Sequence, residues 1–97
     1  MKEMKIYRKY QLAILNKEKN IEIRHKWFYH SGEIVKLIQV EDPTKYCYVT
    51  FGQRETLVSD QKLIELRKLP WWDNFCEEYV KKPTYIRQII DCSCWKG

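Results

Sequence analysis

The stretch "EIVKLIQVEDPTKYCYVTF", residues 33–51, decides the fold. Residues 33–40 are rich in β-branched side chains and predict a strand, and residues 46–51 predict a second one. Between them, residues 41–45 contain Pro43 after two acidic residues, a composition typical of a turn. The centre of the chain is therefore predicted to be two successive strands joined by a short turn.

On both sides of this stretch the pattern predicts further strands. Towards the C-terminus, a tight turn at 52–53 precedes a short strand over 55–59, one helical turn over 60–62 and a closing strand over 63–66. Towards the N-terminus, residues 5–15 alternate with an interruption at Arg8, and the polar residues 16–20 form a hairpin connection to a strand over 21–30. Strands at this regular spacing are typical of a small barrel or sandwich.

The strand predicted over 21–30 has two distinct faces. Alternate side chains of a strand point to opposite sides of the sheet. The face predicted to be buried carries Ile21, Ile23, His25, Trp27 and Tyr29. The opposite face, predicted to be exposed, carries Glu22, Arg24, Lys26, Phe28 and His30. Phe28 is thus predicted to be an exposed aromatic among basic side chains.

After Leu69 the period of the apolar residues changes to that of a helix. Pro70 suits a first helical turn, and Pro83 ends the helix. Its apolar face comprises Trp72, Phe75, Cys76, Tyr79 and Val80. Residues 84–91 fit a helix or a strand, and we favour a short helix. We expect one domain over 1–97, with a β-barrel and N-terminal hairpin over 1–69 and a helical appendage over 70–97.

Residues 31–66 resemble the SH3-like small barrels of the KOW and Tudor type. The matching positions are Gly32, Val35, Tyr48, Val49, Phe51, Gly52, Val58 and Leu63. The resemblance implies a mainly β (α+β) protein: a small antiparallel SH3-like barrel, here with an N-terminal hairpin and a C-terminal helical segment. In such barrels ligands usually meet aromatic side chains exposed between loops, for which the nearest candidates are Phe28, Tyr46 and Tyr48.

The charge is unevenly distributed along the 97 residues, whose formal net charge is +5. Residues 1–30 carry eight Lys or Arg and three Glu, whereas residues 31–66 carry four basic and six acidic residues. A basic surplus favours phosphate or acidic protein surfaces as partners, and it also serves solubility. The chain has no signal-peptide or membrane-span pattern, so we expect a cytoplasmic protein with reduced cysteines.

Catalytic and metal chemistry have little support in the sequence. His25 and His30 would point to opposite faces of one strand, and the pair Cys92 and Cys94 has no second close pair to complete a zinc site. A Cys–His nucleophile would need a cysteine to meet a histidine in the fold, which no motif specifies. We therefore expect no enzyme, no metal and no cofactor.

Two binding functions are consistent with the remaining features. The first is docking on a nucleic acid or nucleoprotein complex by charge attraction and base stacking, through Arg8, Lys9, Arg24, Lys26 and Phe28.

The second function is contact with a single host protein, through the aromatic residues Trp71, Tyr85 and Trp95. A small inhibitor of the kind that phages make against host defence, such as an anti-CRISPR protein, would act in this way. Its small size, its lack of catalytic motifs and its composition rich in Lys, Ile and Tyr suit that alternative. The crowded aromatic residues would otherwise complete a small core.

Overall fold

A computed structural model describes residues 2–27 and 32–93, which contain six strands and three helices. The strands are β1 (Lys2–Ile6), β2 (Ile21–Arg24), β3 (Ile34–Gln39), β4 (Tyr46–Phe51), β5 (Thr56–Leu57) and β6 (Tyr85–Cys92). The helices are α1 (Arg8–Leu15), α2 (Asp60–Leu66) and α3 (Asn74–Tyr79). Five strands follow the order β1-β3-β4-β6-β2, and β5 pairs with β6. The protein is a small, mainly β domain whose mixed sheet curls into a half-barrel.

The strands predicted from residues 33–51 are confirmed as the antiparallel pair β3 and β4. Their register places Val35 opposite Val49 and Leu37 opposite Cys47, and these four side chains are buried. The alternate residues of both strands are only partly buried or exposed. One face of this hairpin therefore forms the base of the main core.

The predicted N-terminal hairpin is wrong. Residues 2–6 form β1, which runs parallel to β3, and residues 8–15 form the helix α1. Tyr10, Ala13 and Ile14 are buried on one side of this helix against the hairpin. Because a spacing of four residues suits both a strand and a helix, Ile6, Tyr10 and Ile14 could not distinguish them. The sheet is consequently mixed, not wholly antiparallel.

The helix predicted over 84–91 is also wrong, because these residues belong to β6. The first half of β6 pairs with β2 on one side and with β5 on the other, and its second half pairs with β4. The register shifts between Thr50 and Phe51, where the sheet curls. The C-terminal part of the chain thus includes a strand of the sheet and is not only a helical appendage.

The barrel does not close where the sequence predicts it. Residues 63–66 belong to α2, whose N-cap Ser59 accepts a hydrogen bond from the backbone N–H of Lys62, and they do not form a closing strand. The predicted helix after Pro70 is confirmed as α3 over a shorter range, capped by Asp73. β1 and β2 are left as the two end strands of the path. We call the gap between them the seam.

Candidate binding cleft at the open seam

The seam is bridged by a side chain, not by backbone pairing. The Nη2 atom of Arg24, in β2, donates a hydrogen bond to the backbone oxygen of Lys5, in β1, at 3.0 Å. In the same strand, the outward oxygen of Ile21 accepts from Lys19 Nζ at 2.6 Å. The outward N–H of Ile23 donates to Glu22 Oε1 at 3.0 Å. Charged side chains therefore satisfy backbone groups that an adjoining strand would otherwise satisfy.

These side chains form a buried ionic cluster, which we call the seam triad: Lys19, Glu22 and Arg24. Lys19 and Glu22 are only 2% and 4% exposed, and their charged atoms lie 2.8 Å apart. Arg24 contacts the other carboxylate oxygen of Glu22 at 3.1 Å. Burial alone would raise the pKa of Glu22, but the charges of Lys19 and Arg24 hold that pKa below its usual value. Burial lowers the pKa of Lys19, and the attraction of Glu22 opposes this.

Next to the seam triad lies a cleft of about 240 Å³, which we call the seam cleft. Its aromatic lining comes from three parts of the chain: Tyr7 and Tyr10, Trp71, and Phe75 and Tyr79 of α3. Phe75 is central, because its ring centroid lies 5.4 Å from that of Tyr7, 6.1 Å from Tyr10 and 6.0 Å from Tyr79. Lys5, Lys19, Glu22 and Arg24 supply the charged part of the lining.

A second, more open groove adjoins the seam cleft, because Arg24 and Tyr79 line both. We call it the basic groove; its other lining residues include His25, Lys26, Lys82 and Tyr85. Lys26 and Lys82 are exposed, and neither ammonium group has an ion-pair partner within residues 2–27 and 32–93. These two lysines are therefore available to a negatively charged ligand.

His25 lines the basic groove and packs against Tyr79, which lines both the cleft and the groove. Its ring stacks on Tyr79 with centroids 3.9 Å apart, and its Nε2 lies 2.7 Å from the backbone oxygen of Tyr79. Because a carbonyl oxygen only accepts, Nε2 carries the proton of this hydrogen bond. The backbone N–H of His25 also donates to the hydroxyl of Tyr79 at 3.2 Å. His25, which the sequence analysis places on the buried face of its strand, is therefore packed against Tyr79 and hydrogen-bonded to it.

The predicted nucleic-acid-binding residues fall into separate places. Arg24 and Lys26 line the basic groove, although the strand predicted over 21–30 ends at Arg24. Arg8 and Lys9 lie on α1, not on a strand beside β2; Arg8 contacts Gln39 and Lys9 pairs with Asp73. Phe28 lies outside the described residues. Among the described members of this set, the structure brings together Arg24 and Lys26 and places Arg8 and Lys9 elsewhere.

The predicted protein-binding residues are also dispersed. Trp71 is 3% exposed and packs in the main core, as the interpretation of these aromatics as core material anticipates. Tyr85 is half-buried in β6 and lines the basic groove, where its backbone oxygen accepts from Trp27 Nε1 at 3.0 Å. Trp95 lies outside the described residues.

Sequence reasoning missed the buried pair Lys19 and Glu22. The alternation placed Glu22 on an exposed face, and residues 16–20 were assigned to a solvent-exposed connection. Lys and Glu are rarely buried unless they are paired, so neither residue type gives a signal of burial. The contribution of Tyr7 was missed for a related reason, because the cleft forms only when β1, β2 and α3 come together.

The thiols of the described cysteines have raised pKa values, whereas an activated thiol has a lowered pKa. Burial raises the pKa of Cys47 to about 12, and it also raises the pKa values of Cys76 and Cys92. Cys76 donates through Sγ to the hydroxyl of Tyr10, which in turn donates to Asp73. Within residues 2–27 and 32–93, no group of three or more His, Cys, Asp or Glu side chains is placed to hold a metal ion.

Comparisons with known protein families, with curated proteins and with solved structures each find no match. In the part of the chain that the structure describes, no helix has the length and apolar character needed to span a membrane.

Proposed function

We propose that this chain is a non-enzymatic binding module that docks on a single-stranded nucleic acid, alone or within a nucleoprotein complex. One observation carries the proposal: a groove lined by two exposed lysines adjoins an aromatic cleft through Arg24 and Tyr79. Proteins that bind single strands combine a positively charged track for the phosphates with aromatic rings for the bases. The basic groove supplies the first component and the seam cleft supplies the second.

The charges around the two sites favour an anionic ligand. Lys26, Lys82 and Arg24 lie along the basic groove, where Glu55 is the acidic lining residue. Lys5 adds a further ammonium group at the seam cleft, where Lys19 and Arg24 already neutralise the carboxylate of Glu22. Each phosphate that such a groove neutralises releases condensed counterions, so the binding should weaken steeply with salt.

The SH3-like resemblance of residues 31–66 adds a second contact to this proposal. Tyr46 and Tyr48 of β4 are half-buried and lie edge-to-face at 5.7 Å, and the ammonium group of Lys36 lies 4.1 Å from the centroid of Tyr46. In barrels of this type, exposed aromatic residues receive ligands. We propose Lys36, Tyr46 and Tyr48 as an auxiliary contact for the same strand.

A salt series with paired variants tests the function. Fluorescence anisotropy would measure the affinity for labelled single strands and for duplexes of equal length. We expect Lys26→Ala combined with Lys82→Ala to weaken single-strand binding and to lower the salt slope by about 0.7 for each phosphate that is no longer neutralised. The control, Lys2→Ala combined with Lys68→Ala, removes the same charge from exposed positions outside both sites. Equal losses of affinity for both pairs, or no binding at low salt, would refute the proposal.

The alternative is a phage-type inhibitor that binds one host protein. The observation that favours it is the exposure of several large apolar side chains, namely Ile34, Leu57, Ile64 and Ile90. Such an inhibitor would bind its target with little dependence on salt and would be insensitive to nuclease. The salt series therefore distinguishes the two functions directly.

A further inference from the structure

We propose that His25 is a further phosphate-binding residue of the basic groove, and that its ring takes up a proton when the strand binds. This inference rests on the proposed function and specifies how binding at that site responds to pH. It predicts that a strand of constant charge binds more tightly in mildly acidic solution than in mildly alkaline solution.

His25 lies among the cations of the basic groove. The other charged or ionisable side chains that line the groove are Arg24, Lys26, Glu55, Tyr79, Lys82 and Tyr85. Three of these are cations, and the carboxylate of Glu55 already lies 3.6 Å from the Nη2 atom of Arg87. A phosphate that is held by the cations therefore lies in the same groove as the half-buried imidazole ring of His25.

The ring of His25 is held by one nitrogen and leaves the other available. Nε2 donates to the backbone oxygen of Tyr79 at 2.7 Å, so the neutral ring carries its proton on Nε2 and has an unprotonated Nδ1. Within residues 2–27 and 32–93, the structure shows no hydrogen bond to Nδ1. A proton can therefore be added at Nδ1 without breaking the hydrogen bond to Tyr79.

The surroundings of His25 couple its protonation to the binding of an anion. The ring lies nearly parallel to that of Tyr79, at 10°, and the face of an aromatic ring attracts a cation. Arg24, Lys26 and Lys82 have the opposite effect, because they repel a further positive charge in the groove. A bound phosphate offsets this repulsion and thus favours the protonated ring. Because coupling between two bound species is reciprocal, protonation of His25 tightens phosphate binding by the same factor.

Histidine is the side chain whose charge ordinarily changes between about pH 5 and pH 8. Among the neighbouring groups with shifted pKa values, Glu22 and Asp73 have lowered pKa values and stay charged in this range. The pKa of the Tyr79 phenol is raised by burial, so this group stays neutral. Lys19 differs, because burial lowers its pKa, but it lines the seam cleft and not the basic groove. Variants of His25 separate its contribution from that of Lys19.

A pH series with a labelled oligothymidylate provides the test. The strand carries no terminal phosphate, so its own charge is constant over the range of the experiment. Fluorescence anisotropy at equal ionic strength would measure its affinity for the full chain. We expect the affinity to be about threefold higher at about pH 6 than at about pH 8. Equal affinity at the two pH values, or higher affinity at the upper one, would overturn the inference.

Two variants connect the pH dependence to His25. His25→Gln keeps an N–H donor for the backbone oxygen of Tyr79, and His25→Phe keeps a ring against the Tyr79 ring, but neither takes up a proton. Both should bind within about twofold of the unsubstituted chain at about pH 8 and should lose the increase at about pH 6. His30→Gln is the control, at the other histidine of the chain, and should keep the increase. An increase that persists in both His25 variants would assign the proton to another group, such as Lys19, and would overturn the inference.

The outcomes separate this inference from the proposed function. If strands bind through Lys26 and Lys82 but show no pH dependence, the inference fails and the function stands. If no strand binds, the function fails, and inorganic sulfate then serves as the anion. The NMR signal of the His25 ring would be followed against pH in sulfate and in chloride at equal ionic strength.

A transition displaced to higher pH in sulfate by about 0.3 or more would support proton-linked anion binding at His25, and coincident transitions would overturn it. The same measurement decides if circular dichroism shows that neither His25 variant folds.

Discussion

The β3–β4 hairpin and the seam stabilise the same small domain by opposite means. At the hairpin, Val35, Leu37, Cys47 and Val49 bury apolar side chains against α1 and Trp71. At the seam, the backbone groups of the end strands are satisfied by Lys19, Glu22 and Arg24. Apolar packing is tolerant of small changes in geometry, whereas a buried ionic cluster fails when one member is removed. A half-barrel with open edges can thus be protected by charge where no strand is present.

The largest expected effect is that of breaking the seam triad. Glu22→Ala leaves the ammonium group of Lys19 buried without its partner and should lower the free energy of unfolding by about 4 kcal/mol. Urea denaturation followed by circular dichroism would measure it. Glu65→Ala is the matched control, because its pair with Lys62 lies on the surface and should change stability by less than about 1 kcal/mol. Similar effects of the two substitutions would show that the seam is not held by charge.

A core substitution in the hairpin should have a slightly smaller effect. Leu37 is fully buried, and Leu37→Ala should lower the free energy of unfolding by about 3 kcal/mol through reduced burial and the remaining cavity. The measurement is the same urea titration. Leu12→Ala on the exposed side of α1 serves as its control. If Leu37→Ala lowered the free energy of unfolding far more than Glu22→Ala does, the packing of the hairpin would be the main source of stability and the seam triad would not.

Acid should weaken the seam before the hairpin. The folded-state pKa of Glu22 is depressed below its ordinary value of 4.5, so the stabilisation is complete above that pH and is lost as the pH falls through the folded-state pKa. Glu22→Gln should therefore flatten the fall of unfolding free energy below pH 4.5. Asp73, whose pKa is also depressed, accounts for part of the remaining slope. Denaturation curves at several pH values test this, and an unchanged slope in Glu22→Gln would contradict it.

The smallest effect is a difference in thiol accessibility. Cys76 lines the seam cleft and Cys47 lies in the hairpin core, although both are buried. In a Cys92→Ser, Cys94→Ser background, a thiol reagent should label Cys76 before Cys47, whose pKa burial raises to about 12. Mass spectrometry of digested samples over time would give the order. Labelling of Cys47 first would mean that the hairpin opens more readily than the seam.

The elements that the sequence predicted correctly are those with a clear local signal. Residues 33–40 and 46–51 are rich in β-branched or aromatic residues on either side of a turn, and the apolar face of α3 repeats at the helical spacing. The predictions for residues 5–15 and 84–91 were wrong because their apolar residues are four positions apart. These residues are Ile6, Tyr10 and Ile14 in the first segment and Ile86 and Ile90 in the second. That spacing fits a strand and a helix equally, so pairing with distant strands decided the outcome.

The candidate site was predictable only in part. Arg24 and Lys26 were identified from local charge, and both line the basic groove. The other members come from β1, β2 and α3, which are distant in the chain and meet only at the seam. No local pattern could show that Lys19 and Glu22 would be buried together, because each residue alone is typical of the surface.

The order of residues over 33–51, two runs rich in β-branched or aromatic side chains around a short turn, is sufficient to indicate a central hairpin, because such side chains suit a pleated, half-buried surface. The same order leaves the ends of the sheet undetermined. Whether a strand finds a neighbour depends on contacts between residues far apart in the chain, and these also place β6 between β2 and β4. Only the folded arrangement leaves β1 and β2 apart, and their separation creates both the seam triad and the cleft beside it.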